Sequence, residues 1–180
     1  MAWRLFASSK GKTVTALVVA CVYDGHGFER ILELRDAVEQ HLPLPYEMAC
    51  LTDRTDRCSG VTFIDITAAN LDGWRAKMVL FEPQWRFRRK IIYLDLDVEV
   101  VGDLSPLADV PGEFSILADF NPDAMVIGAL MGEMIWRDFQ RQRATSRAKC
   151  LSDCIKELYP DAPFLEDELP NGFFRDRLIV

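Results

Sequence analysis

From residue 13 to Tyr23 the chain is almost unbroken in apolar residues and rich in valine, which predicts a strand buried on both faces. The loop "YDGHG" ends it. From Phe28 to Leu42 the apolar positions Phe28, Ile31, Leu32, Val38 and Leu42 recur at helical spacing until "LPLP" stops them. "YEMACL" predicts a second strand running to Thr52 and Asp53, and "VTFIDI" a third, after the polar loop "TDRTDRCSG". "LDGWRAKMVLFEP" predicts a helix closed by Pro83, and the strand "KIIYLDLDVEV" follows. Beyond it, "GDLSPLADV" suits a turn and short helix, with Asp103 as a turn or capping residue, and "EFSILAD" another strand. "AMVIGALMGEMIWRDFQRQ" is apolar first and amphipathic later, so strand and helix compete at its start; from Met134 the pattern is helical. "SRAKCLSDCIKELYP" predicts a further helix with Cys150 and Cys154 one turn apart on one face, and the tail ends in a strand. Strands alternating with helices give an α/β fold, a mostly parallel sheet flanked by helices, in one domain over 13–180 behind a polar arm at 1–12.

The fourth apolar strand carries an anomaly. Alternation puts Tyr93, Asp95, Asp97 and Glu99 on one side and Ile92, Leu94, Leu96 and Val98 on the other. Carboxylates two residues apart on one strand face sit about 6 to 7 Å apart and repel by about 2.5 kcal/mol at an effective dielectric near 20. Water offsets this if the face is wet, and a bound divalent cation does so if the face lines a site. In sheets of this kind ligands gather at the carboxyl ends of the strands, where Tyr23, Asp53 and the Asp95/Asp97 pair all fall.

Charge and cysteine usage narrow the classes. With 49% hydrophobic and 27% charged residues over 180 positions, the chain is long enough for one well-filled core. Its net charge of -7 argues against a nucleic-acid backbone as partner. The cysteines Cys21, Cys50, Cys58, Cys150 and Cys154 fall in no CxxC or zinc spacing and read as reduced thiols of a cytoplasmic protein. "VVAC", ending at Cys21, loosely resembles a bacterial lipoprotein cleavage box, but a buried first strand accounts for the same residues. No stretch reaches the length of a transmembrane segment.

"IIYLDLDVEVVGDLSPL", preceded by "GWRAKMVLFEP", resembles the core of GT-A fold nucleotide-sugar glycosyltransferases, in the bacterial branch related to glycogenin. The resemblance spans about residues 14–126. It implies an Asp-x-Asp motif, Asp95-Leu96-Asp97, whose carboxylates hold Mn²⁺ or Mg²⁺ against the diphosphate of a nucleotide-sugar donor, a UDP-sugar above all. Such an ion stabilises the developing charge of the leaving diphosphate as a Lewis acid. The same resemblance makes Asp97 the main metal ligand and Asp95 a contact to metal and donor ribose. It places Tyr23 and Asp53 at the donor, with Asp53 towards the base, and Lys77 of "GWRAK" at the phosphates, where the residue-level reading is a solvated surface lysine. Asp119 in "LADF" matches an acidic position after the next strand, completing the candidate catalytic set Asp95, Asp97 and Asp119, and "LEDEL" matches a late acidic segment near sugar or acceptor.

The chain departs from the pattern in one respect. The late histidine with glycine and lysine nearby has no match, since the histidines are His26 and His41, and the expectation is a relative shortened at the C-terminus. Two alternatives stand beside sugar transfer to an unknown acceptor. One is a non-catalytic nucleotide-sugar-binding or scaffold protein derived from a transferase. The other is a phosphatase of haloacid dehalogenase type, with Asp95 as nucleophile and Asp97 as general acid. In that class the motif opens the domain's first strand and runs into Thr or Gly-Thr, whereas here about half the chain precedes it and Val98-Glu99 follows.

Overall fold

A computed structural model describes residues 17–83, 89–169, 173 and 178–179. The polar arm expected at 1–12 and the first residues of the strand expected from 13 lie outside the described residues. In chain order the elements are β1 (Leu17–Tyr23), α1 (Phe28–His41), β2 (Glu47–Thr52), β3 (Thr62–Asp65), a 3-10 helix at Gly73–Phe81, β4 (Lys90–Leu94) and β5 (Glu99–Val100). There follow α2 (Ser105–Asp109), β6 (Phe114–Leu117), β7 (Asn121–Ile127), α3 (Ala129–Gln142), α4 (Leu151–Leu158), α5 (Leu165–Glu168) and β8 (Leu178–Ile179).

Six strands form one sheet in the order β3-β2-β1-β4-β7-β6. The pairs β1–β2, β1–β4 and β2–β3 are parallel, while β7 runs antiparallel to both β4 and β6. Only β7 therefore points the other way, and the expectation of a mostly parallel sheet holds. The apolar run of β1 has its reason in this order: flanked by β2 and β4 and covered on both faces, all of its residues are buried. Its odd positions Leu17, Val19, Cys21 and Tyr23 enter one core layer, and Val18, Ala20 and Val22 the other.

The first layer is closed by Ile31, Leu34 and Val38 of α1, Leu107 of α2 and Leu165 of α5. On the opposite face, the second layer is closed by Met78 to Phe81 of the 3-10 helix, Ile135 and Phe139 of α3, and Leu151, Cys154 and Ile155 of α4. The result is a three-layer α/β/α sandwich. Lys90, at the amino end of β4, donates to the carbonyls of Ala108 and Val110 at 2.8 and 2.7 Å, tying the end of α2 to the sheet. Burial pushes its ammonium below the ordinary lysine pKa.

Three expectations change in detail. Residues 73–81 are helical but wound as a 3-10 helix. The ambiguous apolar stretch resolves into β7 up to Ile127 and a helix from Ala129, which includes the part from Met134 expected to be helical. Cys150 and Cys154 do not share a face: Cys150 is the exposed N-cap of α4, with its Sγ accepting from the Asp153 amide at 3.5 Å, and Cys154 is buried. The tail strand is present as β8, paired antiparallel with β5. Asp103 is a capping-type residue, its carboxylate accepting from the Ser105 amide at 2.9 Å at the start of α2.

Candidate functional site

From β1 the chain moves outward to β2 and β3, then returns to lay β4 on the other side of β1. That reversal makes a topological switch point at the carboxyl ends of β1 and β4, the usual ligand position in such sheets. Two short segments frame it: the loop 24–27 after β1 and the residues 95–97 after β4.

The acidic pair does not lie on a strand, as alternation predicted. Ladder pairing of β4 stops at Leu94. The Asp95 amide still donates to the Asp123 carbonyl at 2.8 Å, but the Val98 amide then returns to the Asp95 carbonyl at 3.1 Å and closes a turn. The Asp95 carboxylate accepts from the Leu96 amide at 2.9 Å and fixes that turn from within. The apolar half of the expectation survives, since Ile92, Leu94, Leu96 and Val98 all pack into the layer under α1. The polar half does not. Tyr93 is fully buried in the opposite layer, where burial first and the charge of Asp95 second push its phenol well above the ordinary pKa.

Each carboxylate has drawn a cation. Asp95, with its side chain 16% exposed, forms an ion pair with Lys77 of the 3-10 helix, itself 25% exposed. Asp97, 76% exposed at the tip of the turn, pairs with Arg30 from the first turn of α1, 49% exposed. The 3-10 helix and α1 cover opposite faces of the sheet, so the two acids are met from opposite sides. Lys77 is thus not a surface lysine on a wet helix face. The repulsion between the acids is offset here by two side-chain cations.

The loop after β1 explains how Arg30 is held. Gly27 sits at φ +67°, left-handed backbone that favours glycine, and a Cβ there would meet Cδ of Arg30 at 3.3 Å. The aliphatic stem of Arg30 lies in that space. Gly25, at φ +106°, does the same for Arg54, whose Nε would stand 2.7 Å from an added Cβ. Arg54 in turn donates through Nε and Nη2 to the Asp24 carbonyl at 3.2 and 2.9 Å, and its Nε lies 3.0 Å from Asp53. "DGHG" is therefore a loop whose two glycines each clear a seat for an arginine.

The other candidates sit along the same rim in different states. The ring of Tyr23 is 4% exposed, edge-on to Phe28 at 5.8 Å, and contributes chiefly to the core. Asp53 is exposed and held by Arg54. Asp119 is exposed in the turn joining β6 to β7, with φ 58° at both Asp119 and Phe120, a conformation that costs non-glycine residues energy. Glu166 of "LEDEL" braces that turn by accepting from the Ala118 amide at 2.9 Å. His26 lies in the glycine loop, 91% exposed and beside Asp24, while the His41 carbonyl, at the end of α1, accepts from Leu104. Sequence reasoning missed Arg30, whose only signal was its place three residues after the second glycine of the loop.

A divalent cation fits the donor set. Asp95 and Asp97 offer hard carboxylate oxygens on one turn, each already attracting positive charge. Among the described residues no group of three or more His, Cys, Asp or Glu that could hold a metal ion comes together. A cavity of about 610 Å³ lies elsewhere, around Phe114 at the amino end of β6. Phe114 is level with Ile127 and so with Ile91, at the opposite rim from the acids. No helix among the described residues is long and apolar enough to cross a membrane.

No family model matches the sequence, and no curated protein matches it significantly. Solved structures do match. The glycosyltransferase GlyE of Streptococcus pneumoniae TIGR4, in its apo form, is similar at 21% identity with a TM-score of 0.63, over 83% of this chain and 45% of GlyE. The apo structure of the bifunctional glycosyltransferase WbbM is similar at 17% identity and a TM-score of 0.65, over 88% of this chain and 40% of WbbM. The galactosyltransferase LgtC, solved with donor and acceptor sugar analogs, is similar at 14% identity and a TM-score of 0.58, over 82% of this chain and 72% of LgtC. The chain spans less than half the length of GlyE and WbbM. At these identities the likeness concerns architecture: the described residues have the fold of GT-A-type glycosyltransferases.

Proposed function

We propose that this chain carries the donor-binding core of a metal-dependent glycosyltransferase, which moves a sugar from a nucleoside diphosphate, a UDP-sugar above all, to an acceptor. The observation that supports it most is the position of Asp95 and Asp97 on a GT-A scaffold: both lie on the turn at the carboxyl end of β4, beside the β1 loop, with Lys77 and Arg30 on them. Asp95 and Asp97 would hold Mn²⁺ or Mg²⁺, and when bound the ion supplies Lewis-acid stabilisation of the leaving diphosphate. Asp97 would be the principal ligand, and Asp95 would also serve the ribose.

The residues around the pair have separable roles. Lys77 orients Asp95 and brings positive charge to the phosphates without any proton transfer. Tyr23 gives the wall behind the nucleotide, with Asp53 at the side of the base. Asp119, on its constrained turn, faces the sugar region, with Glu166 holding that turn in place.

A binder without turnover is the second reading. Its support is that both acids already have side-chain counter-ions and that no third ligand joins them among the described residues. The phosphatase reading has no such support, since the acids follow the fourth strand and the neighbours are glycosyltransferases.

The test is a panel of nucleotide sugars screened by thermal shift with and without Mn²⁺. A ligand at a hundred times its Kd adds about 2.7 kcal/mol of apparent stability. A metal-dependent upward shift with one donor supports the site, and slow hydrolysis of that donor separates enzyme from binder. No shift with any donor removes the proposal.

A further inference from the structure

Arg30 stands where the proposed metal ligand and the proposed diphosphate would meet. Its guanidinium is on Asp97, and its stem is seated over Gly27. A charge count shows what it is needed for. Two carboxylates cancel one divalent cation, which leaves the roughly two negative charges of a diphosphate without compensation. Lys77 and Arg30 bring two positive charges to that spot from opposite faces of the sheet. The planar fork of a guanidinium matches phosphate oxygens in pairs, which a lysine ammonium does not.

We infer that Arg30 and the divalent cation compete for Asp97, and that the arginine displaced by the cation becomes a ligand of the donor diphosphate. The inference rests on the donor-site reading above and adds to it a recognition residue from α1. It also gives the glycine loop a purpose: Gly27, at a left-handed φ of +67°, leaves room for the stem of Arg30, whose Cδ would stand 3.3 Å from an added Cβ.

The two halves of this inference have opposite signs in a measurement. Manganese alone, followed by electron paramagnetic resonance, should bind Arg30→Ala several-fold more tightly than the wild type, because a competitor for Asp97 is gone. Uridine diphosphate at saturating manganese, followed by calorimetry, should bind Arg30→Ala about tenfold or more weakly, with Arg30→Lys recovering part of the loss. Unchanged affinity for uridine diphosphate overturns the inference, and so does a parallel fall in both affinities, which would mark a merely structural role. Thermal unfolding of each variant shows whether the fold is kept. If the wild type itself binds no uridine diphosphate, the donor-site reading falls and this inference with it; if the wild type binds and Arg30→Ala binds equally, only the role of Arg30 is lost.

Discussion

At the scale of single residues, the site rests on which side chains the turn after β4 and the loop after β1 bring together. Asp97 is 76% exposed and its partner Arg30 is half exposed, so their ion pair is screened and adds little to folding. Asp97→Asn should therefore leave stability within about 0.5 kcal/mol of the wild type in a urea titration. A large loss would mean that the carboxylate is structural. Gly25 differs, because its φ of +106° and the guanidinium 2.7 Å from an added Cβ both oppose a side chain. Gly25→Ala should cost about 1 to 2 kcal/mol in the same experiment. Asp65 gives a pH signature: the Thr67 hydroxyl and amide, at 2.6 and 2.9 Å, hold its carboxyl below its usual value of 3.8. The unfolded chain thus binds that proton more readily, so the contribution of Asp65 is whole above its ordinary pKa and is lost as pH falls through the depressed one. Asp65→Asn should lower stability at neutral pH by that contribution and match the wild type once pH has fallen through the depressed value, so that the acid limb of the stability profile flattens.

Elements were legible in the sequence to the extent that burial wrote a period into them. β1 is covered on both faces and reads as a continuous apolar run; α1 is covered on one side and reads as an amphipathic helix. Strand alternation failed at Asp95 because side-chain periodicity cannot show where ladder pairing stops: Leu96 and Val98 keep the packing of a strand while the backbone has already turned. The reversed direction of β7 left no mark either, since both of its neighbours bury it as they would a parallel strand. At Ile127 and Ala129 strand and helix are equally apolar, and Gly128, whose amide donates to the Glu113 carbonyl at 2.6 Å, marks the boundary. In the site, the acid pair and Lys77 were legible as motif, but Arg30 was not, because its partner lies on another element. The docking of α3 depends on Ile135 and Phe139 against the 3-10 helix layer. Phe139→Ala should cost about 3 to 5 kcal/mol by urea denaturation. A loss below 1 kcal/mol would show that α3 is not part of the cooperative core.

Over the whole molecule, an acidic chain with a net charge of -7 gathers Arg30 and Lys77 beside the point between β1 and β4 where its strand order reverses. In the function proposed above, that point would take a ligand that is itself anionic with a cation beside it, as a nucleoside diphosphate with a divalent metal is. The cavity around Phe114 at the other rim has no part in this. The most direct test is a calorimetric titration of uridine diphosphate in three cells: wild type with manganese, wild type with a chelator, and Asp97→Asn with manganese. The account predicts heat of binding in the first cell alone. Equal binding in all three, or none in the first, would contradict it.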